Sequence, residues 1–74
     1  MNTLPVLSGR DFIKVLAKLG YVVDRQRGSH VILRHARPPH RRLVVPDHDE
    51  IAKGTLRALL REAGLSAEEL RRLL

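Results

Sequence analysis

The stretch YVVDRQRGSHVILRHARPPHRRLVVP, residues 21–46, decides the fold. Tyr21 to Gln26 is short and β-branched, Arg27-Gly28 supplies a turn, and Ser29 to His35 continues as a second strand. Pro38-Pro39 forbids regular strand, so Ala36 to His40 is a loop. Arg41 to Val45 reads as a third strand, stopped by Pro46. Spacing this tight predicts an antiparallel meander, because a parallel crossover needs a dozen or more residues.

Working outward, the preceding segment predicts a helix over Ser8 to Leu19. Ser8 can cap it, Asp11 suits the positive end of the helix dipole, and Gly20 ends it. Phe12, Ile13, Leu16, Ala17 and Leu19 form an apolar stripe at helical spacing, with Arg10, Lys14 and Lys18 opposite. After the meander, Asp47 to Glu50 is a polar connection. A second helix runs from about Ile51 or Lys53 to Ala63, turning Leu56, Leu59 and Leu60 inward and stopping at Gly64. Ser66 with Glu69 is a capping-box signature that opens a short last helix to Leu74. The order α-β-β-β-α plus a terminal helix is an α+β domain with the helices on one sheet face and the other face open. Residues 1–74 read as one module, without repeats or a linker.

A chain of 74 residues buries only ~60% of its unfolded surface, which leaves little room for a deep substrate pocket. Any site lies on an open face or in a shallow groove. With no cysteine, disulfides and thiolate metal centres are excluded. Met1 to Leu7 is too short and too weakly apolar for a signal peptide, and no run approaches a membrane span. The expectation is a cytoplasmic protein with no membrane partner.

Charge is more informative. Lys plus Arg number 14 and Asp plus Glu 8, a net +6, and the excess is concentrated. Arg25 to Arg42 holds six arginines, three histidines and no acid, whereas Glu50 to Leu74 holds five bases and four acids. A basic middle on a near-neutral remainder suits a polyanion; a merely solvated surface is the alternative. Phe12 and Tyr21 are the only aromatics, too few for a base-stacking platform.

Among the histidines, His30 follows Gly28-Ser29 at the start of the second strand. Alternation groups His30, Ile32 and Arg34 on one face and Ser29, Val31, Leu33 and His35 on the other. Parity leaves open which face is buried, since both carry apolar residues. If Val31 and Leu33 face the helices, His30 and Arg34 share the open face. An imidazole that moves protons near neutral pH would then stand among guanidinium groups able to hold a phosphate. An ordinary surface histidine beside a turn is the other reading. His35 and His40 lack the further ligands that zinc requires, and His48 sits between Asp47 and Asp49 in a polar loop. No metal or cofactor is expected. Lys53-Gly54-Thr55 is either a phosphate-binding helix start or a plain N-cap at Thr55.

The segments Ser8-Gly9-Arg10, Leu16-Ala17-Lys18-Leu19-Gly20, Arg25-Gln26-Arg27-Gly28-Ser29-His30, Val45-Pro46 and Lys53-Gly54-Thr55-Leu56 together resemble the HicA (YcfA-like) toxins, over about Leu7 to Leu65. The resemblance implies a fold like the double-stranded-RNA-binding domain and a toxin that cuts messenger RNA. It also implies neutralisation by a HicB-type antitoxin: a monomer when free, a hetero-oligomer with its partner. The family's functional histidine falls on His30 and its flanking residues on Gly28 and Ser29. Arg27, Arg34, Lys53, Gly54 and Thr55 are the phosphate-binding residues expected around it. Family members often carry Lys at the position of Arg10, which preserves charge, and an apolar residue at that of Asp47, which leaves the role of His48 open. Two other readings stand beside this one. A non-catalytic RNA-binding module would use the same basic face, and a pure interaction protein would turn it to an acidic partner.

Overall fold

The computed structural model describes residues 3–74, so that Met1 and Asn2, part of the opening stretch considered for a leader, lie outside the described residues. Helix α1 spans Gly9–Lys18, and the Ser8 hydroxyl accepts the Asp11 amide proton at 3.1 Å as its cap. Its buried stripe is Gly9, Phe12, Val15 and Leu16. Ala17, expected inward, is exposed. The inward line runs through Phe12, Val15 and Leu16 at i, i+3 and i+4, and Ala17 lies a further ~100° round the helix.

The meander forms as β1 (Tyr21–Arg27), β2 (His30–His35) and β3 (Arg42–Pro46), antiparallel with β2 in the centre. The first turn is Gly28-Ser29, one residue later than the sequence suggested. A two-residue hairpin loop demands positive φ at its first position, and Gly28 supplies it at 59°. Tyr21, Val31, Leu33, Leu43 and Val45 form the sheet's contribution to the core, which settles the parity question: His30, Ile32 and Arg34 belong to the open face. Helices α2 (Lys53–Ala63) and α3 (Ala67–Leu73) complete the cover with Leu56, Leu59, Leu60 and Leu70. The result is an α+β fold of the double-stranded-RNA-binding-domain type.

A Cβ on Gly9 would be driven into the Pro46 carbonyl oxygen and would lie 3.0 Å from the carbonyl carbon. The Gly9 amide donates to the His48 carbonyl at 2.9 Å, and the Ile51 amide to the Leu7 carbonyl at 2.8 Å. These contacts press the start of α1 onto the end of β3 and fix the path of the 47–52 connection.

Helix α3 opens on a complete capping box. The Ser66 amide donates to the Glu69 carboxylate at 2.9 Å, and the Glu69 amide to the Ser66 hydroxyl at 3.0 Å. The backbone and then the side chain of Ser66, with Arg72 nearby, hold the Glu69 carboxyl below its ordinary value of 4.5. Because the folded value is the lower one, this contribution is fully present above pH 4.5 and disappears as pH falls through the folded value. An NMR titration of the Ser66 amide should therefore show a midpoint below 4.5. Glu69→Gln, which keeps an acceptor but cannot ionise, should flatten that titration. A midpoint at or above the ordinary value would show that the cap does not hold in solution.

Candidate functional site

The site begins at the β1–β2 turn. Three bonds clamp it: the Asp47 amide to the Ser29 carbonyl at 2.6 Å, the Gln26 side-chain amide to the Gly28 carbonyl at 3.0 Å, and the same amide to the Asp47 carboxylate at 3.4 Å. Gln26 and Asp47 thus position the turn that carries Gly28, Ser29 and His30. No spacing in the sequence pointed to either. Asp47 has its side-chain partner in Gln26.

His30 is the first residue of β2, exposed, and stands in register with Arg27 on β1 and Pro46 on β3. Its ring makes no hydrogen bond to a protein group among the described residues. Arg27 reaches this face because β1 carries a bulge between Val23 and Arg25. The extra residue resets the alternation, so that Arg25 and Arg27 stand opposite Ile32 and His30. Ile32 is 3% exposed although it lies on the open face, flanked in register by Arg25 and Val44.

Arg34 is on the same face but four residues from His30, ~13 Å along the strand. It pairs with Asp24 at 3.3 Å, both side chains being nearly half exposed. Such a pair contributes only ~0–1 kcal/mol, so Arg34 is readily released to another anion. Lys53, Gly54 and Thr55 form the first turn of α2 and all are exposed. The N-cap is Ala52, with no capping side chain and no acid in the first turn, so Thr55 is not the cap. The helix start carries an uncompensated positive dipole end with Lys53 beside it.

The other histidines serve elsewhere. The His35 ring accepts the Arg37 amide proton at Nδ1, 3.0 Å, which leaves Nε2–H to donate to the Leu19 carbonyl at 2.8 Å. Both nitrogens are occupied in joining the end of α1 to the β2–β3 loop. His40 Nδ1 lies 3.0 Å from the His35 carbonyl, and His48 contributes its backbone carbonyl to Gly9. A concavity of about 630 Å³ lies between α2 and α3, lined in part by Leu4, Arg57, Leu60 and Leu65, all outside the sheet. Away from it, His30 and Arg27 stand exposed side by side at the turn end of the sheet.

A three-stranded meander roofed by helices, with an exposed histidine and arginines on its free face, defines a small α+β domain with the fold of the double-stranded-RNA-binding domain. Residues 9–65 match the family model of the HicA toxin of bacterial toxin-antitoxin systems, and the chain belongs to that family. It is therefore a toxin-family protein with an antitoxin as its partner. No curated protein matches the chain. No helix of the described residues is long and apolar enough to cross a membrane.

Proposed function

We propose that this chain is a metal-independent endoribonuclease that cleaves messenger RNA, with His30 as the proton-transfer group. The observation that carries the reading is the placement of His30: exposed, at a clamped turn, beside Arg27 on the basic face. The RNA supplies its own nucleophile. The ribose 2′-oxygen bonds to the adjacent phosphorus as the bond from phosphorus to the 5′-oxygen breaks. His30 takes the 2′-hydroxyl proton or gives one to the departing 5′-oxygen. Arg27 and the Gly28-Ser29 turn sit where the charged phosphate would be held, and Arg34 and the Lys53-Gly54-Thr55 helix start would hold neighbouring phosphates. One positioned acid or base contributes only ~10²–10⁴-fold, so the enzyme is slow. A HicB-type antitoxin would join the free monomer in a cytoplasmic hetero-oligomer.

The test is cleavage of a labelled messenger RNA by the purified chain in excess EDTA. Cutting should persist undiminished and leave a 2′,3′-cyclic phosphate and a free 5′-hydroxyl. Loss of cutting in EDTA, restored by a divalent ion, would overturn the metal-free mechanism. Binding without cutting under all conditions would move the protein to the non-catalytic reading.

A further inference from the structure

The proposed chemistry uses the turn end of the sheet and leaves the other end, the β2–β3 loop, unexplained. From Arg34 to Arg42 the chain carries four arginines and two histidines with no acid. The loop is more ordered than a hairpin connection requires. The His35 amide donates to the Arg41 carbonyl at 2.9 Å, the Ala36 amide to the Gly20 carbonyl at 2.9 Å, and the His40 amide to the Arg37 carbonyl at 2.8 Å. His40 is held at a φ of 58°, a left-handed conformation that a non-glycine residue keeps only where its surroundings enforce it. The two prolines fix their own φ as well. Every one of these bonds uses backbone or histidine groups. The Arg37 and Arg41 side chains make no hydrogen bond among the described residues and are exposed.

Between them lies a cleft of about 290 Å³, walled by Tyr21 and His35 and by Pro38 and Pro39. Arg37 and Arg41 complete its lining, and no acid lines it. We infer that this cleft is a nucleotide subsite for single-stranded RNA, Arg37 and Arg41 gripping a phosphate while the base rests on the proline rings. This rests on the reading of the chain as an RNA-cutting enzyme. Tyr21 and His35 stand in register on the helix-covered side of the sheet, ~17 Å from His30 along β2, so a strand reaching both wraps the loop end of the sheet, several nucleotides from the bond to be cut. Along the open face stand Arg27 and His30, then Arg25, then Arg34, bound to Asp24, with Arg42 in register beside it. Successive pairs recur about every 7 Å along the strands, comparable to the phosphate repeat of an extended single strand. An acidic protein is the poorer fit, because interface cores are anchored by large apolar residues. Among the described residues the exposed large hydrophobics are Val6, Val22, Val23 and Leu74, none in this loop.

The test compares the natural chain with the double variant Arg37→Ala/Arg41→Ala on two substrates, a single-stranded RNA of about twelve nucleotides and a trinucleotide spanning one cleavable bond. On the longer RNA the double variant should show KM raised about tenfold with kcat unchanged. The slope of log affinity against log salt should fall by about 0.7, the share of the one phosphate that the two arginines hold on a single strand. On the trinucleotide, which cannot reach the loop, the two proteins should behave alike. Unchanged KM and salt slope on the longer RNA would overturn the subsite while leaving the nuclease reading intact. Equal losses on both substrates would overturn it too, because the arginines would then be acting on the fold or on the chemistry. A natural chain that neither binds nor cuts either RNA would overturn both readings, with the loop then assigned to a protein partner.

Discussion

His30→Ala is expected to eliminate detectable RNA cleavage while RNA affinity is retained. The lost factor is that of one positioned proton-transfer group, ~10²–10⁴-fold, from an enzyme with no second such group beside it. Affinity survives because binding comes mainly from arginine–phosphate contacts, and Arg27, Arg25 and Arg42 stay in place when an exposed imidazole is trimmed. The fold survives for the same reason: the ring makes no hydrogen bond to protein among the described residues. Cleavage assays with the two proteins on one labelled RNA, beside a binding titration, separate the possibilities. Equal cutting by both would remove His30 from the mechanism, and equal absence of cutting would favour the non-catalytic module.

Gly9→Ala is expected to destabilise the protein by about 3 kcal/mol or more, above the usual cost of overpacking, because the group struck is backbone. In a helix, Gly→Ala ordinarily stabilises by ~0.5–1 kcal/mol, so the sign itself is diagnostic. At Gly9 the new methyl meets the Pro46 carbonyl. Neither strand end nor helix start can withdraw without breaking the Gly9–His48 and Leu7–Ile51 backbone bonds. A domain of this size has only ~4–11 kcal/mol in total. Gly54→Ala is the control: a Cβ there meets nothing within 4 Å, and it should leave stability unchanged or raise it. Urea denaturation of the three proteins reads the difference. A Gly9→Ala midpoint equal to that of the natural chain would show that the contact with β3 is looser than the structure has it.

Much of this was legible in the chain. The caps at Ser8 and Ser66, the prolines of the loop and the leucines of α2 are local signals, each read over a few residues. The resemblance to HicA toxins rested on such segments, and the family match over residues 9–65 agrees with it. Less legible were Val15, passed over in a stripe that took in the exposed Ala17 instead, and Gln26 and Asp47. Those two meet across 21 residues of sequence to hold one turn, and no short-range pattern encodes such a meeting. Gly9 was visible only as part of a family segment. Its physical reason, a carbonyl pressed against the helix, required β3 to be in place.

By itself the sequence determined the order of elements, the antiparallel meander, and the concentration of arginine and histidine between Arg25 and Arg42. These follow from composition, period and short turns. Which face of the sheet would be open, and which arginines would stand on it, only the tertiary structure decided. Strict alternation from the buried Tyr21 would send Arg25 and Arg27 toward the helices. The bulge at Asp24 reverses that, placing both opposite the residues of His30's face. A one-residue slip in register turns every later side chain over. Pairing with β2, and burial of Val31 and Leu33 beneath the helices, settle on which side those charges fall.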